Sequence, residues 1–345
     1  MTLRARTILV VLLVATLVPL AADAWNRSPA NTFASLPPGE QHPEGITADA
    51  AGNLYVTTFD VAHPGRLGQL FVFRPSGQLI RQVSVAGSSN LLLDLAFHPT
   101  TGALLVIDFG GHQVLNVNPV NGSSAVFATI PGGAAAGPNV LTFDSAGNVY
   151  ISDSFQQTIW RTGPAGGAVA AWATSPLLGT TGVPPFGANG LAFNKAQTAL
   201  FVANTGNDTI VKIPVTPGVG GPVAGTPAVF VNSINGPDGL IIDENDNLWV
   251  AANQADEIVV VDPSGRVIAK LGDFEGLAPN GAPRGLLFPA SLVRVGNFIY
   301  VTNLASDLRI FGPANGTVDS QWASEVVVHT IARINAHLPP VQGLP

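Results

Sequence analysis

One short pattern is written six times along the chain. Its clearest copy is Gly236-Pro237-Asp238-Gly239-Leu240-Ile241-Ile242, then Asp243-Glu244-Asn245-Asp246-Asn247, then Leu248-Trp249-Val250-Ala251. It reads as a turn, a short apolar strand, a tight polar turn and a second apolar strand. Pro43-Glu44-Gly45-Ile46, Leu93-Asp94-Leu95-Ala96, Pro138-Asn139-Val140-Leu141 and Ala188-Asn189-Gly190-Leu191 open further copies. A degenerate one begins at Pro289-Ala290-Ser291. Aligned on the polar residue that opens the first strand, Glu44, Asp94, Asn139, Asn189, Asp238 and Ser291 share one position. They are spaced by 50, 45, 50, 49 and 53 residues. Periods in this range belong to solenoids, propellers and arrays. No unit has helical periodicity, which leaves the all-β solution of four-stranded sheets packed radially around a channel. Six copies predict a six-bladed β-propeller.

The two ends of the chain fit this plan. Thr32-Phe33-Ala34-Ser35-Leu36 resembles the last strands of other copies, such as Val126-Phe127-Ala128-Thr129-Ile130. A last strand placed ahead of the first copy predicts ring closure, with the N-terminal segment completing the sixth sheet and removing an exposed edge. The run Glu325 to Ile334 alternates and is read as another strand of that blade. Asp307 to Asp319 is read as an insertion before it. Ser175 to Gly187 and Asp273 to Pro283 are Gly- and Pro-rich connections, expected over one face where binding loops sit.

Residues 1–24 have the plan of a signal peptide. Arg4 and Arg6 precede an apolar run from Thr7 to Leu20, and Ala22-Asp23-Ala24 has the small-x-small form of a cleavage site. The run is short for a transmembrane span. The mature protein, residues 25–345, is expected as one propeller domain in a secreted or periplasmic location, free of the membrane after cleavage. A net charge of −7 with no basic run in the mature segment argues against nucleic acid as a partner. The absence of cysteine excludes disulfides, thiolate nucleophiles and zinc–thiolate sites. A monomer acting on a small molecule is expected.

The polar position carries the chemistry. In a propeller the first strand of each blade lines the channel, so Glu44, Asp94, Asn139, Asn189 and Asp238 would ring its mouth. Any one of them alone reads as a turn-forming residue. Five in register read as a set of hard oxygen donors suited to one divalent cation, Ca²⁺ first and Mg²⁺ next. Mn²⁺ and Zn²⁺ fit with lower selectivity. His42, two residues before Glu44, could reach the mouth as a proton shuttle. Phe186, Phe59 and Phe109 stand at strand ends or in loops, where aromatics favour an apolar ligand. Ser154 and Ser291 have no His–Asp partner at readable spacing, so a serine hydrolase is not expected.

The Pro-Glu-Gly, Asn-Gly-Leu and Pro-Asp-Gly-Leu signatures resemble those of the senescence marker protein 30, gluconolactonase and luciferin-regenerating enzyme family. The resemblance covers about residues 40–335, and extends more distantly to strictosidine synthase and the paraoxonase-type lactonases. It implies a metal-dependent hydrolase of a lactone or related ester, with Glu44, Asn189 and Asp238 as ligands and Asn139 beside the ion and substrate. It also implies that Asp238 doubles as the general base. Asp94 is a carboxylate the family set does not require, and as a non-ligand it is a physical rival for the base role. The family often has an Arg before the auxiliary Asn to grip a sugar acid. Gly137 and Pro138 stand there, so that grip is missing. A cyclase or lyase on the same scaffold, or a non-catalytic binding propeller, are the alternative readings.

Overall fold

The computed structural model describes residues 27–338. The proposed signal segment and its cleavage site lie outside the described residues. The fold is a six-bladed β-propeller of antiparallel sheets. Blade one is Pro43–Ala48, Leu54–Thr58, Gln69–Phe73 and Leu79–Ser84. Blade two is Leu92–Phe97, Leu104–Asp108, Gln113–Val117 and Ser124–Thr129. Blade three is Pro138–Phe143, Val149–Asp153, Thr158–Thr162 and Ala170–Thr174. Blade four is Ala188–Phe193, Ala199–Asn204, Thr209–Thr216 and Ala228–Asn232. Blade five is Pro237–Ile242, Leu248–Ala252, Glu257–Val261 and Val267–Leu271. Blade six is Pro289–Val295, Phe298–Asn303 and Thr330–Asn335, completed by the N-terminal strand Asn31–Ser35. The ring closes as the sequence predicts.

The strand patterns follow from this packing. Second strands are buried on both faces by neighbouring blades, so Leu54–Thr58, Val149–Asp153 and Leu248–Ala252 are buried throughout. A continuous apolar run is the signature of such a strand. The outermost strand of blade one alternates between partly buried and exposed residues, because only one face meets protein. Apolar clusters fill the seams. Trp249, Ile258, Leu292 and Val301 join blades five and six, and Tyr150, Ile159, Leu200 and Val211 join three and four. Each large side chain fully buried in a seam contributes roughly 1.5–3 kcal/mol.

In blades one, three and five the turn between first and second strands is built around an aspartate. Asp144 accepts hydrogen bonds from the Ala146 and Asn148 amides at 3.0 and 2.9 Å. It also accepts from the Asn148 side chain at 2.7 Å and the Tyr150 hydroxyl at 3.0 Å. Asp49 does the same with Ala51, Asn53 and Tyr55, and Asp243 with Asn245, Asn247 and Trp249. The turn needs one residue in the left-handed region. Gly52 and Gly147 supply it without penalty, while Asp246 takes φ 61° in the third copy. These turns close the far end of each inner strand from the site described below.

Blade six departs from the pattern. Blades two to five join their second and third strands with four residues, whereas residues 304–329 intervene in blade six. The insertion is therefore longer than Asp307 to Asp319, and the strand it precedes begins at Thr330 rather than Glu325. It holds 3-10 turns at Leu308–Phe311 and Pro313–Asn315 and a helix at Asp319–Ala323. A five-residue helix is too short for a 3.6-residue period to show in sequence. The connection after blade five forms its own hairpin, Phe274–Leu277 with Pro283–Gly285.

Candidate functional site

Every inner strand carries a bulge at the same place. In blade one Pro43 pairs with Thr58 and Ile46 with Val56, so Glu44 and Gly45 oppose the single residue Thr57. Bulges re-aim side chains near sites, and here the first bulged residue turns toward the channel mouth. Glu44, Asn139, Asn189 and Asp238 all hold this first position. Blade two differs from the sequence alignment. Leu92 pairs with Asp108 and Leu95 with Val106, which puts Leu93 in register and Asp94 one place on. In blade six the same shift places Ala290 in register, with Ser291 one place on. The mouth ring is thus Glu44, Leu93, Asn139, Asn189, Asp238 and Ala290.

The position after the ring residue faces the neighbouring inner strand. A Cβ on Gly190 would lie 2.2 Å from the Asp238 carbonyl oxygen, and one on Gly239 2.8 Å from that of Ala290. Glycine there lets two backbones approach. Blade two has Asp94 instead, and its Oδ2 accepts from the Leu141 amide of blade three at 3.0 Å. Asp94 therefore ties two blades together and does not line the mouth cavity. Its dehydrated surroundings in the channel raise its pKa to about 7, against the hydrogen bonds from Leu141 and Leu95.

A cavity of about 50 Å³ opens at the mouth, with Glu44, Asn139, Asn189 and Asp238 among its lining residues. All four side chains are buried. Glu44 Oε2, Asn139 Oδ1, Asn189 Oδ1 and Asp238 Oδ1 are buried without a hydrogen-bond partner. Buried oxygens are ordinarily paired, so four orphans at one place need a reason.

The second strands fix which way the amides point. Ser154 Oγ donates to the Ala188 carbonyl at 2.7 Å, and Thr205 Oγ1 donates to the Pro237 carbonyl at 2.8 Å. Each hydroxyl has one proton, so each can only accept from its other neighbour. Those neighbours are Asn139 Nδ2 at 3.1 Å and Asn189 Nδ2 at 3.0 Å. Both amides must offer nitrogen to the hydroxyl, which leaves both oxygens for the cavity. In blade five Asn253 Nδ2 donates to Asp238 Oδ2 at 3.2 Å and leaves Oδ1 free.

The electrostatics fit a site that wants positive charge. Burial raises the pKa of Glu44 well above the usual range, and Asp238 and then Asp94 push it further. Burial lifts Asp238 to about 7, opposed by Asn253 and Asn189 and reinforced by Asp94. The lining contains no Lys, Arg or His. Among the described residues no three His, Cys, Asp or Glu side chains gather in metal-binding geometry. The donor set is two carboxylates joined by amides, a hard oxygen set of the kind Ca²⁺ accepts.

His42 does not line the cavity. Its Nδ1 lies 2.8 Å from the Leu304 carbonyl oxygen and its ring packs edge-on against His329 at 4.7 Å. Burial lowers its pKa. Phe186 and Phe59 do line the cavity, as do Phe288 and Phe311. Phe311 comes from the blade-six insertion and meets Phe186 at 5.2 Å between ring centres. Sequence reasoning missed Ser154, Thr205 and Asn253, which hold the ring side chains. Their signal is positional, since each stands directly after the second-strand residue that pairs with the residue before the ring position.

A family model for the SMP-30/gluconolactonase/LRE-like region matches residues 95–272, just over half of the chain. The chain belongs to the SMP-30/gluconolactonase/LRE-like family. The match spans blades two to five and takes in Asn139, Asn189 and Asp238, while Glu44 is assigned to the site by the fold. No curated protein sequence matches significantly. Among solved structures, a luciferin-regenerating enzyme is 15% identical, covers 88% of this chain and 94% of its own, and has a TM-score of 0.62. A calcium-binding protein, regucalcin, from Agrobacterium tumefaciens strain C58 is 16% identical over 91% of this chain and 100% of its own, at 0.59. A gluconolactonase from Xanthomonas campestris is 15% identical over 80% and 95%, at 0.58. At these identities the likeness shows that the family fold is kept across nearly the whole ring.

Proposed function

We propose that this protein is a divalent-cation-dependent hydrolase of a lactone or related ester, exported from the cytoplasm by its N-terminal segment. One observation carries the reading: four buried, unpartnered oxygens from Glu44, Asn139, Asn189 and Asp238 converge on one cavity, the two amides aimed by hydroxyls of known polarity and Asp238 held by Asn253. Glu44, Asn189 and Asp238 would hold the ion, with Asn139 beside it. Ca²⁺ suits this donor set best, because every donor is an uncrowded hard oxygen. Family membership supports the reaction class, and the calcium-binding relative supports the choice of ion.

A bound cation supplies Lewis-acid polarisation of a carbonyl and acidifies water. The protein's own groups do the rest. Asp238 Oδ1 faces the cavity, while Oδ2 is pinned by Asn253. A carboxylate held this way can take the proton of an attacking water and return it to the leaving alkoxide. Asn139 is fixed with its oxygen inward and orients a hydroxyl or water by accepting its proton in a hydrogen bond. Asp94 is spent on the Leu141 amide and acts through its charge. The phenylalanine walls keep bulk water from the reacting carbonyl.

The test is elemental analysis of the purified protein together with a lactone and ester hydrolysis screen. Retained Ca²⁺ and turnover abolished by EDTA and restored by Ca²⁺ are expected. Asp238→Ala is expected to lose both ion and activity. Full ion occupancy in that variant, or turnover indifferent to EDTA after proven ion loss, would overturn the assignment.

A further inference from the structure

Polar and apolar groups divide the mouth into two arcs. The ring position is an oxygen donor in blades one, three, four and five, but Leu93 in blade two and Ala290 in blade six. The next tier is the residue just after each second strand's pairing to the inner strand. It is Ser154, Thr205 and Asn253 in blades three, four and five. It is Phe59, Phe109 and Leu304 in blades one, two and six. In this second tier blades six, one and two form a continuous apolar arc, with Glu44 the one oxygen donor at the ring position of those three blades. The blade-six insertion sends Leu308 and Phe311 into the cavity above that arc, and Phe186 meets Phe311 from the other side.

Charge narrows the ligand further. The lining holds two carboxylates and no basic side chain. A carboxylate or phosphate on the ligand's body would have no partner on these walls and would leave its water uncompensated. A polyhydroxylated body would meet Leu93, Leu304, Leu308 and four phenylalanines, with Ser306 the one hydroxyl beyond the tier that holds the ring. The cavity is small, about 50 Å³, and is bounded by the ring oxygens together with Leu304, Leu308 and Phe311, so a chain carried by a head group at the ring meets these apolar side chains.

We propose that the site takes an uncharged ligand with a carbonyl head and an apolar chain, and that the blade-six insertion sets the chain preference through Leu308 and Phe311. Resting on the hydrolase reading, the substrate is an alkyl-substituted lactone or ester rather than a sugar lactone. The carbonyl sits at the oxygen ring, and the chain runs over blades six, one and two.

The test uses a homologous series of γ-alkyl lactones, gluconolactone and a carboxylate-bearing lactone with the Ca²⁺-loaded protein. The matching γ-alkyl lactams, which resist hydrolysis, are used in parallel as binding probes by calorimetry. We expect kcat/KM to rise about two- to fourfold per methylene until the arc is filled. Lactam affinity should rise in step. Phe311→Ala should flatten both slopes and Phe311→Leu should largely keep them. Lactam binding that strengthens with chain length without lactone turnover would uphold the ligand class and remove the hydrolase reading. Turnover that is flat along the series, or tenfold better on gluconolactone, would overturn the ligand class and leave the hydrolase reading standing. Neither turnover nor chain-dependent binding would overturn both. A Phe311→Ala slope equal to that of the unaltered protein would remove the insertion from the account.

Discussion

Thr205→Val tests the hydroxyl relay that aims Asn189. The substitution keeps the shape of the side chain and removes Oγ1 from a fully buried position. Two buried groups lose their partner, the Pro237 carbonyl at 2.8 Å and Asn189 Nδ2 at 3.0 Å. An unsatisfied buried polar group costs about 1–3 kcal/mol. The expected loss of stability in EDTA-treated protein is therefore about 2–4 kcal/mol, allowing for some relaxation. Asn189 is then free to turn its amide nitrogen toward Asp238, which it already approaches closely enough to lower that group's pKa. A nitrogen facing inward repels a cation. Loss of a partner that orients a ligand typically weakens metal binding about 10–100-fold, and that is the expected fall in Ca²⁺ affinity.

Thr57→Val is the control. Thr57 is equally buried and its hydroxyl also donates across a blade seam, to the Leu93 carbonyl. It holds no amide of the ring. Urea denaturation in EDTA gives the stability change for each variant, and calorimetric Ca²⁺ titration gives the affinity. Both variants should be destabilised, and only Thr205→Val should bind Ca²⁺ weakly. If Thr205→Val binds Ca²⁺ like the unaltered protein, the amide orientation does not depend on the hydroxyl and the relay argument is wrong.

Three further outcomes follow from the same structure. In ion-free protein Asp238 holds its proton up to about pH 7, against an ordinary value of 3.8, so the native state binds the extra proton between those values. Stability conferred by that proton is present at low pH and is lost as pH rises through 7. Melting temperature in EDTA should fall from pH 5 to pH 8, Asp238→Asn should reduce the fall, and Ca²⁺ should restore the unaltered protein but not the variant. Asp256, buried against Asp319 of the insertion helix, is lifted to about 8 by burial and then by that neighbour, with Asp273 adding to it. Asp256→Asn should raise the melting temperature at pH 8, with a gain that shrinks toward pH 4; a gain that does not vary with pH would refute the account of a buried carboxylate with a raised pKa. Asp144→Ala removes four hydrogen bonds from one turn. It should cost about 2 kcal/mol or more in urea denaturation and leave Ca²⁺ affinity unchanged, since that turn lies at the far end of the inner strand.

The fold was legible because a propeller repeats its evidence. One blade is an ambiguous run of short strands. Six copies of one strand–turn–strand phrase, each with a buried second strand, leave few alternatives, and the stray Asn31–Ser35 strand has only one sheet to join. The four oxygen donors were legible for the same reason, since each stands after a turn in a recurring phrase. The insertion was only half legible. Its 3-10 turns and five-residue helix have no period to find, and its contribution to the cavity depends on packing that sequence does not record.

The misplacement of Asp94 and Ser291 has a physical cause. An alignment that seeks a polar residue at the ring picks Asp94 over Leu93, and Ser291 over Ala290. Strand pairing picks the opposite, because the bulge adds one residue to the inner strand and the two bulged positions face different ways. One looks into the mouth and the other into the seam between blades. In blades one, four and five the seam position is glycine, so the sequence never reveals that it is a second, distinct environment. Blade two puts a carboxylate there. It spends one oxygen on the Leu141 amide and adds negative charge to a site that already holds Glu44 and Asp238. The register shift of one residue thus changes the reading of the chemistry. Asp94 becomes a positioning residue and a source of field, and Leu93 and Ala290 become apolar breaks in the ring on either side of Glu44.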